Sequence, residues 1–259
     1  MGVPLKKTSR MQNNLPFSTV DEVLEGQVLV FDKPLTWTSF DVVNKIRGTL
    51  KSVFKLRKVK VGHAGTLDPL ATGVLILCTG RKTKTIDLLQ AEEKTYTGTI
   101  RLGVTTPSFD AETEIDSWGD IDTIKTLSHE NISEKAQTLT GDLAQIPPQF
   151  SAKKVDGVVA YNAARKGKTV KLTPKAVKVF SFDITSVSTS LVGDHPVVDV
   201  EFLIRCSKGT YIRALARDLG KALGVGGTLT DLRRTKSGNF TVENAYDLQE
   251  FISSVKSLV

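Results

Sequence analysis

Cysteine is scarce in this chain, with two among 259 residues. Both of them, Cys78 and Cys206, lie inside apolar runs. A disulfide framework or a zinc cluster of cysteine and histidine ligands needs more thiols than this. The sequence therefore predicts no metal site, no disulfide network and a reducing compartment, the cytoplasm.

Long apolar runs are also missing. No stretch approaches the roughly 18 apolar residues of a membrane-spanning helix. The first residues include Lys6, Lys7 and Arg10, followed by polar residues 12–14, without the apolar segment of a secretory signal peptide. We therefore expect an unexported cytoplasmic protein with no membrane partner.

The composition is that of an ordinary globular protein, with 40% hydrophobic and 24% charged residues. A chain of this length buries roughly 70 to 75% of its unfolded surface, enough for one large core. Residues 1–25 are polar and lack a sustained apolar period, so we expect a flexible N-terminal extension there. The core is expected to start at Gly26, in one domain that spans residues 26–259.

Charge is segregated along the chain, whose formal net charge is +7. Three blocks are basic, at residues 45–67, 150–182 and 203–240, whereas residues 109–134 are acidic. Any one basic block is explained equally well as a solvated face. Three such blocks around the motifs described below favour a polyanionic partner, and nucleic acid in particular.

Hydrophobic periodicity predicts both strands and helices. Period-two or continuous apolar runs predict strands at residues 28–31, 74–78, 95–103 and 198–206. A capping box formed by Thr38 and Asp41 predicts one helix start, and a 3.6-residue period from Tyr211 to Gly224 predicts another helix. This mixture, without regular alternation, predicts an α+β fold with a mixed, largely antiparallel central sheet and flanking helices.

The densest motif is the segment Gly62-His63-Ala64-Gly65-Thr66-Leu67-Asp68-Pro69-Leu70-Ala71-Thr72-Gly73. Its three glycines imply tight backbone geometry, and Pro69 confines Asp68 to extended or turn conformations. Alone, an Asp-Pro pair is usually a turn, and a single histidine such as His63 usually bonds within a loop. No Gly-Lys-Ser/Thr follows, so the motif is not a Walker A loop and predicts no nucleotide cofactor.

The segment from Gly62 to Gly73 resembles the signature motif of the TruB-type pseudouridine synthases. The resemblance continues, in the family's order, at residues 32–34, 94–96, 101–103, 145–148 with 151–152, 206–213 and 232–234. It implies the pseudouridine synthase catalytic fold over residues 26–259. It also implies isomerisation of uridine 55 in the T-loop of tRNA, by a monomer that binds the T-arm and needs no cofactor.

The resemblance assigns roles to individual residues. Asp68 matches the aspartate that acts as nucleophile or stabilises charge at ribose C1′, and Arg213 matches the arginine that keeps that carboxylate ionised. Tyr96 matches the tyrosine that stacks on uracil and accepts or relays the C5 proton. The remaining candidates for substrate contact are His63, Tyr211, Leu232 and Lys33. From the residues alone, Arg213 is also explained as a surface ion pair and Tyr96 as a core aromatic.

Two departures from the family pattern stand out. The segment from Lys33 to Ser39 carries Thr36 where glycine is expected, so a different local backbone is expected there. No PUA-type RNA-binding domain follows Asp247, which favours the stand-alone bacterial or organellar kind.

Other functions remain open from the sequence. One is a relative that modifies mRNA or another RNA with a T-loop-like element. Another is a tRNA-folding chaperone without catalytic activity. The presence of Asp68, Tyr96 and Arg213 together argues against this alternative. A retaining glycosidase needs two carboxylates that flank the scissile bond, and no paired motif supplies them.

Overall fold

The computed structural model describes residues 15–155 and 157–258. The chain divides into two compact units. One, the terminal unit, comprises the residues up to Pro69, Gly73–Gln90 and the residues from Val242 on. The other, the central unit, comprises Leu70–Thr72 and Ala91–Thr241. Among the residues described, no helix has the length and apolarity needed to cross a membrane.

The secondary structure confirms the predicted mixture of helices and strands. The helices are α1 (Val20–Glu25), α2 (Ser39–Val53), α3 (Ile86–Ala91), α4 (Ile121–Lys125), α5 (His129–Gln137), α6 (Ala160–Ala164), α7 (Ile212–Ala222) and α8 (Leu248–Lys256). The longer strands are β1 (Val28–Lys33), β2 (Val61–His63), β3 (Ala71–Thr79), β4 (Lys94–Leu102), β7 (Gly141–Gln145), β10 (Lys175–Val192), β11 (His195–Cys206) and β12 (Gly227–Ser237). Two-residue strands are β5 (Val104–Thr105), β6 (Ser117–Trp118), β8 (Lys154–Val155), β9 (Val158–Val159), β13 (Phe240–Thr241) and β14 (Tyr246–Asp247).

In the terminal unit, β1 pairs antiparallel with β3 and parallel with β14, and β2 pairs antiparallel with β3. Helix α2 begins at the predicted capping box, in which Thr38 and Asp41 each accept from the other's main-chain N–H. Its apolar face, which includes Val42, Ile46 and Leu50, is fully buried. The strand that ends at Lys33 and the helix that starts at Ser39 are therefore both firmly anchored.

In the central unit, the strands lie in the order β12, β4, β11, β10 and β7, and every neighbouring pair is antiparallel. The alternation predicted over residues 198–206 is confirmed, because Val200, Phe202 and Ile204 are buried. Helix α7 buries Leu215 and Leu219, among others, and packs on β12. The largely antiparallel α+β architecture predicted from the sequence is therefore confirmed.

Residues 15–25 differ from the flexible extension that the sequence suggested. Thr19 and Glu22 form a capping box at the start of α1, and Val23 is buried. Phe17 is 2% exposed, and its ring packs edge-on against Phe54 and Phe251 at centroid distances of 5.8 and 6.1 Å. A helix of six residues is too short to show a sustained apolar period. The rest of the expected extension, residues 1–14, lies outside the described residues.

Candidate active site

Asp68 lies in the terminal unit, in the turn between β2 and β3, and its side chain is half-buried. The residue before it is fixed by Ser39, whose hydroxyl accepts from Leu67 N–H at 2.8 Å and donates to Leu67 O at 2.9 Å. The residue after it is fixed through Pro69 O, which accepts from Thr36 N–H at 2.9 Å. The backbone is thus anchored on both sides of Asp68, which fixes the main chain that carries its carboxylate.

Lys33 supplies a further anchor for the same turn. Its side chain is 0% exposed. Its ammonium group donates to Pro34 O at 2.8 Å, Trp37 O at 2.5 Å and Pro69 O at 3.2 Å. These bonds tie Lys33 to the main chain of the Asp68 turn, and its predicted contact with the substrate stays a prediction.

Thr36, the residue found where the family pattern has glycine, has φ +69°. Glycine favours this left-handed region, which is strained for a β-branched residue. The expected change of backbone is therefore not observed, because Thr36 adopts the conformation that suits glycine. Its N–H bond to Pro69 O accounts for this, since it requires the turn to keep its path.

His63 is the last residue of β2, where it pairs with Leu77 of β3, and it is half-buried. It belongs to the terminal unit, as do Asp68 and Lys33. The other four predicted site residues, Tyr96, Tyr211, Arg213 and Leu232, belong to the central unit.

Arg213 lies in the first turn of α7 and is 4% exposed, which excludes the alternative of a surface ion pair. Its guanidinium donates to Ser108 O at 3.0 Å through Nη1 and to Phe150 O at 2.8 Å through Nη2. Nη1 also lies 3.4 Å from Oδ2 of Asp110. These contacts fix the plane of the guanidinium group and hold it inside the central unit.

Asp110 is a candidate site residue that the sequence interpretation missed. Its side chain is buried, and it accepts from Glu112 N–H at 3.0 Å in addition to its ion pair with Arg213. It lies in the acidic block, where its carboxylate is one of many. Nothing in its local pattern separates it from the exposed acids around it.

Tyr96 lies on β4, opposite Ile204 of β11 and Arg234 of β12, and is 8% exposed. Leu232, 7% exposed, lies on β12 two positions before Arg234. The two candidate pocket residues are therefore diagonal neighbours on adjacent strands. This position is compatible with both a substrate contact and a core aromatic, so the role of Tyr96 stays a prediction.

Tyr211, the residue before α7, is held by Gln145, a residue of the motif at 145–148 to which the sequence assigned no role. Gln145, at the end of β7, accepts from Tyr211 N–H at 2.8 Å and donates to Tyr211 O at 3.1 Å. Gln145 is 4% exposed, so its amide is a fixed support. It sets the position of the tyrosine and of the helix start that carries Arg213.

The described residues contain no group of three or more His, Cys, Asp or Glu side chains placed to hold a metal ion. In the terminal unit the candidate residues include Asp68, whose main chain is anchored on both sides. In the central unit they include the buried Arg213, together with Tyr96 and Leu232. These side chains are able to supply a nucleophile, a fixed positive charge and a stacking surface.

Comparisons with known proteins give the family. Residues 51–212 match the N-terminal domain of the TruB family of pseudouridylate synthases, and residues 213–257 match the C-terminal domain of tRNA pseudouridylate synthase B. The tRNA pseudouridine synthase B of Parabacteroides distasonis is 49% identical over 229 residues, which cover 88% of this chain and 93% of the relative. That of Flavobacterium johnsoniae is 46% identical over 240 residues, covering 92% and 100%.

Solved structures agree on the fold. The chain is similar to a protein in the crystal structure of a Cbf5-Nop10-Gar1 complex, with a TM-score of 0.62 and 28% identity, over 89% of this chain. It is also similar to a protein in the archaeal box H/ACA sRNP Nop10-Cbf5 complex, with a TM-score of 0.59 and 26% identity. The chain spans 54% of the length of each of these solved chains. From the two domain matches and the relatives of near-equal length, we conclude that the chain belongs to the TruB family of pseudouridylate synthases.

Proposed function

We propose that this chain converts a uridine in the T-loop of tRNA, at position 55, to pseudouridine. The relatives named tRNA pseudouridine synthase B support tRNA as the substrate. The observation that carries the proposal is the turn around Asp68, whose backbone is anchored through Leu67 on one side and Pro69 on the other. A carboxylate held in this way is prepared for work at one fixed point of a substrate.

The reaction breaks the bond between ribose C1′ and uracil N1, turns the base, and joins C1′ to C5 instead. The proton on C5 leaves and N1 gains one, so the atoms balance without oxidation, hydrolysis or a cofactor. Asp68 serves as nucleophile or as stabiliser of positive charge at C1′. Arg213 favours the ionised form of Asp68, and Tyr96 stacks on the uracil and handles the C5 proton.

The target base must leave the folded T-loop before it can react, which costs a few kcal/mol of stacking. His63 fills the space that the base vacates, and Tyr211 and Leu232 line the uracil pocket. The basic blocks hold phosphates of the T-arm and recognise its shape more than its sequence. The proposal includes a monomer that acts in the cytoplasm.

The test is incubation with unmodified tRNA transcript and with an isolated T-arm stem-loop, followed by position-resolved pseudouridine mapping. The expected result is one pseudouridine in the T-loop of each RNA. Asp68→Asn should bind both RNAs with an affinity near that of the wild type and lower the rate by at least roughly a thousandfold. Asp87→Asn, an exposed acid in the same unit, is the matched control and should leave the rate unchanged.

Different outcomes lead to different conclusions. Binding of tRNA by the wild type without any pseudouridine would replace the proposal by a folding chaperone. Modification of other RNAs in preference to tRNA would replace the substrate. Near-normal turnover by a folded Asp68→Asn variant would remove Asp68 from the reaction.

A further inference from the structure

Lys175 contacts the loop before α7, and two further lysines of the central unit, Lys153 and Lys208, lie near enough to act on its charge. Lys175 is the first residue of β10, Lys208 lies in the loop between β11 and α7, and Lys153 precedes β8. Burial and the charges of Lys153 and Lys208 lower the pKa of the Lys175 ammonium group. We refer to Lys153, Lys175 and Lys208 as the lysine cluster.

The lysine cluster lacks a counter-ion in the described part of the chain. Among the described residues, none of its three members forms an ion pair with a carboxylate. Like charges held close together raise the free energy of the folded state, and an anion bound among them removes that cost. An anion bound among the three lysines would therefore lower the free energy of the folded protein.

The main chain beside the lysine cluster adds further donors. Among the described residues, the N–H groups of Lys208 and Gly209 donate no hydrogen bond to the protein. Gly209 has φ +72°, a left-handed conformation of the kind in which successive N–H groups form an anion-binding concavity. The Lys175 ammonium lies 3.4 Å from Gly209 O and 1.8 Å from where a Cβ of residue 209 would be. A side chain at position 209 would displace this lysine.

The lysine cluster lies next to residues of the proposed uracil pocket. Lys208 closely precedes Tyr211 and Arg213 in the chain, and Lys153 closely follows Phe150, whose carbonyl accepts from Arg213. This nearness in the chain is the reason to expect a group bound by the lysine cluster to lie close to a base that contacts Tyr211. Within the central unit, one short loop thus joins Lys208 of the lysine cluster to Tyr211 and Arg213.

We propose that the lysine cluster and the N–H groups of Lys208 and Gly209 bind one backbone phosphate of the RNA, next to the uridine that is modified. This inference rests on the proposed function, because it takes a T-arm as the ligand. The single negative charge and the free oxygens of a phosphodiester match ammonium and N–H donors that converge on one point. This contact would position the flipped nucleotide while the rest of the T-arm is held elsewhere.

The test is a methylphosphonate scan, in which each phosphate of the T-loop is made neutral in turn. The affinity of the labelled stem-loop is measured by fluorescence anisotropy, and pseudouridine is mapped in parallel. For the wild type, neutralising one phosphate beside the target uridine should weaken binding roughly tenfold. Lys175→Met and Lys208→Gln should each bind the unmodified stem-loop roughly tenfold more weakly than the wild type does. Neutralising that same phosphate should then cause no further loss of affinity in either variant.

Two controls make the scan decisive. Lys135→Met removes a half-buried lysine of α5 in the same unit, outside the three basic blocks, and should reproduce the wild-type scan. Lys208→Gln changes an exposed residue, so its effect stands even if Lys175→Met does not fold. Inorganic phosphate, titrated at millimolar concentration, distinguishes a site for the free anion from a site for RNA. Strong competition by phosphate together with a flat scan would overturn the proposal.

The result also separates this inference from the proposed function. Pseudouridine formation with a flat scan, or a wild-type scan retained by both variants, refutes the phosphate site and leaves the function standing. A position-dependent scan without pseudouridine keeps the phosphate site and refutes the function. A wild-type protein that does not bind the stem-loop refutes both.

Discussion

The ammonium group of Lys33 lies 3.2 Å from the carbonyl oxygen of Pro69, the residue that follows Asp68. The same oxygen accepts from Thr36 N–H, so two donors from one segment of the chain meet at this point. The segment from Lys33 to Ser39 therefore supports the turn that carries the proposed catalytic aspartate.

Replacing Lys33 by methionine should destabilise the protein and impair catalysis. The change leaves three carbonyl oxygens without their buried cationic donor, which costs about 3 kcal/mol in the free energy of unfolding. At a temperature where the variant is folded, kcat should fall more than KM rises, because the turn around Asp68 loosens. Urea denaturation and steady-state kinetics measure both effects. Lys84→Met, an exposed lysine in the same unit, is the control, and equal behaviour of the two variants would contradict the supporting role.

Replacing Thr36 by glycine should stabilise the protein. The left-handed backbone at φ +69° costs a β-branched residue about 1 to 3 kcal/mol, and glycine loses about 1 kcal/mol to its greater freedom when unfolded. The expected net gain is about 1 kcal/mol in the free energy of unfolding. Thr36→Ala keeps a Cβ and should gain less, which makes it the matched control. A glycine variant less stable than the wild type would show that the threonine is not strained.

Replacing Asp110 by asparagine should lower turnover through Arg213. Nη1 of Arg213 and Oδ2 of Asp110 are 3.4 Å apart, with side-chain exposures of 5% and 7%. Loss of the negative charge leaves a buried guanidinium with less compensation, so the arginine is free to shift. We expect kcat to fall at least roughly tenfold with KM nearly unchanged. Asp199→Asn breaks the Arg101 ion pair in the same unit and should alter stability without that fall in kcat.

The sequence was informative where the signal is local. The alternation on β11 and the capping box of α2 involve neighbours in the chain, so period and spacing reveal them. The restriction of the Asp68 backbone by Pro69 is likewise a property of adjacent residues, so the sequence alone predicts it. The resemblance to a family then supplied the roles of residues whose patterns alone left two explanations open.

The supporting contacts could not be predicted in the same way. Asp110 meets Arg213, and Gln145 meets Tyr211, across long separations in sequence that only the folded sheet brings together. Lys33 is similar, because no pattern shows whether a lysine at a strand end turns outward to a ligand or inward to carbonyl groups. These contacts depend on tertiary structure, which a period of two or 3.6 residues does not encode.

Lys94 should make the stability of the protein depend on pH above neutrality. It lies on β4 two positions before Tyr96, is 4% exposed, and donates to Glu92 O at 2.5 Å. Burial first, and the charge of Arg234 second, lower the pKa of its ammonium group from 10.5 to about 8. Lys208 lowers this pKa further, whereas Cys206 and Glu92 oppose the shift.

Between pH 8 and 10.5 the unfolded chain therefore holds a proton on Lys94 that the folded chain has lost. The free energy of unfolding must rise with pH across this window, because unfolding takes up a proton. From pH 7.5 to 9.5 the rise due to this group is about 2 kcal/mol. Lys94→Met should lack it, and titrating groups common to both proteins cancel in the difference. Urea denaturation at the two pH values measures it, and parallel pH dependence in the two proteins would show that Lys94 keeps an ordinary pKa in the folded state.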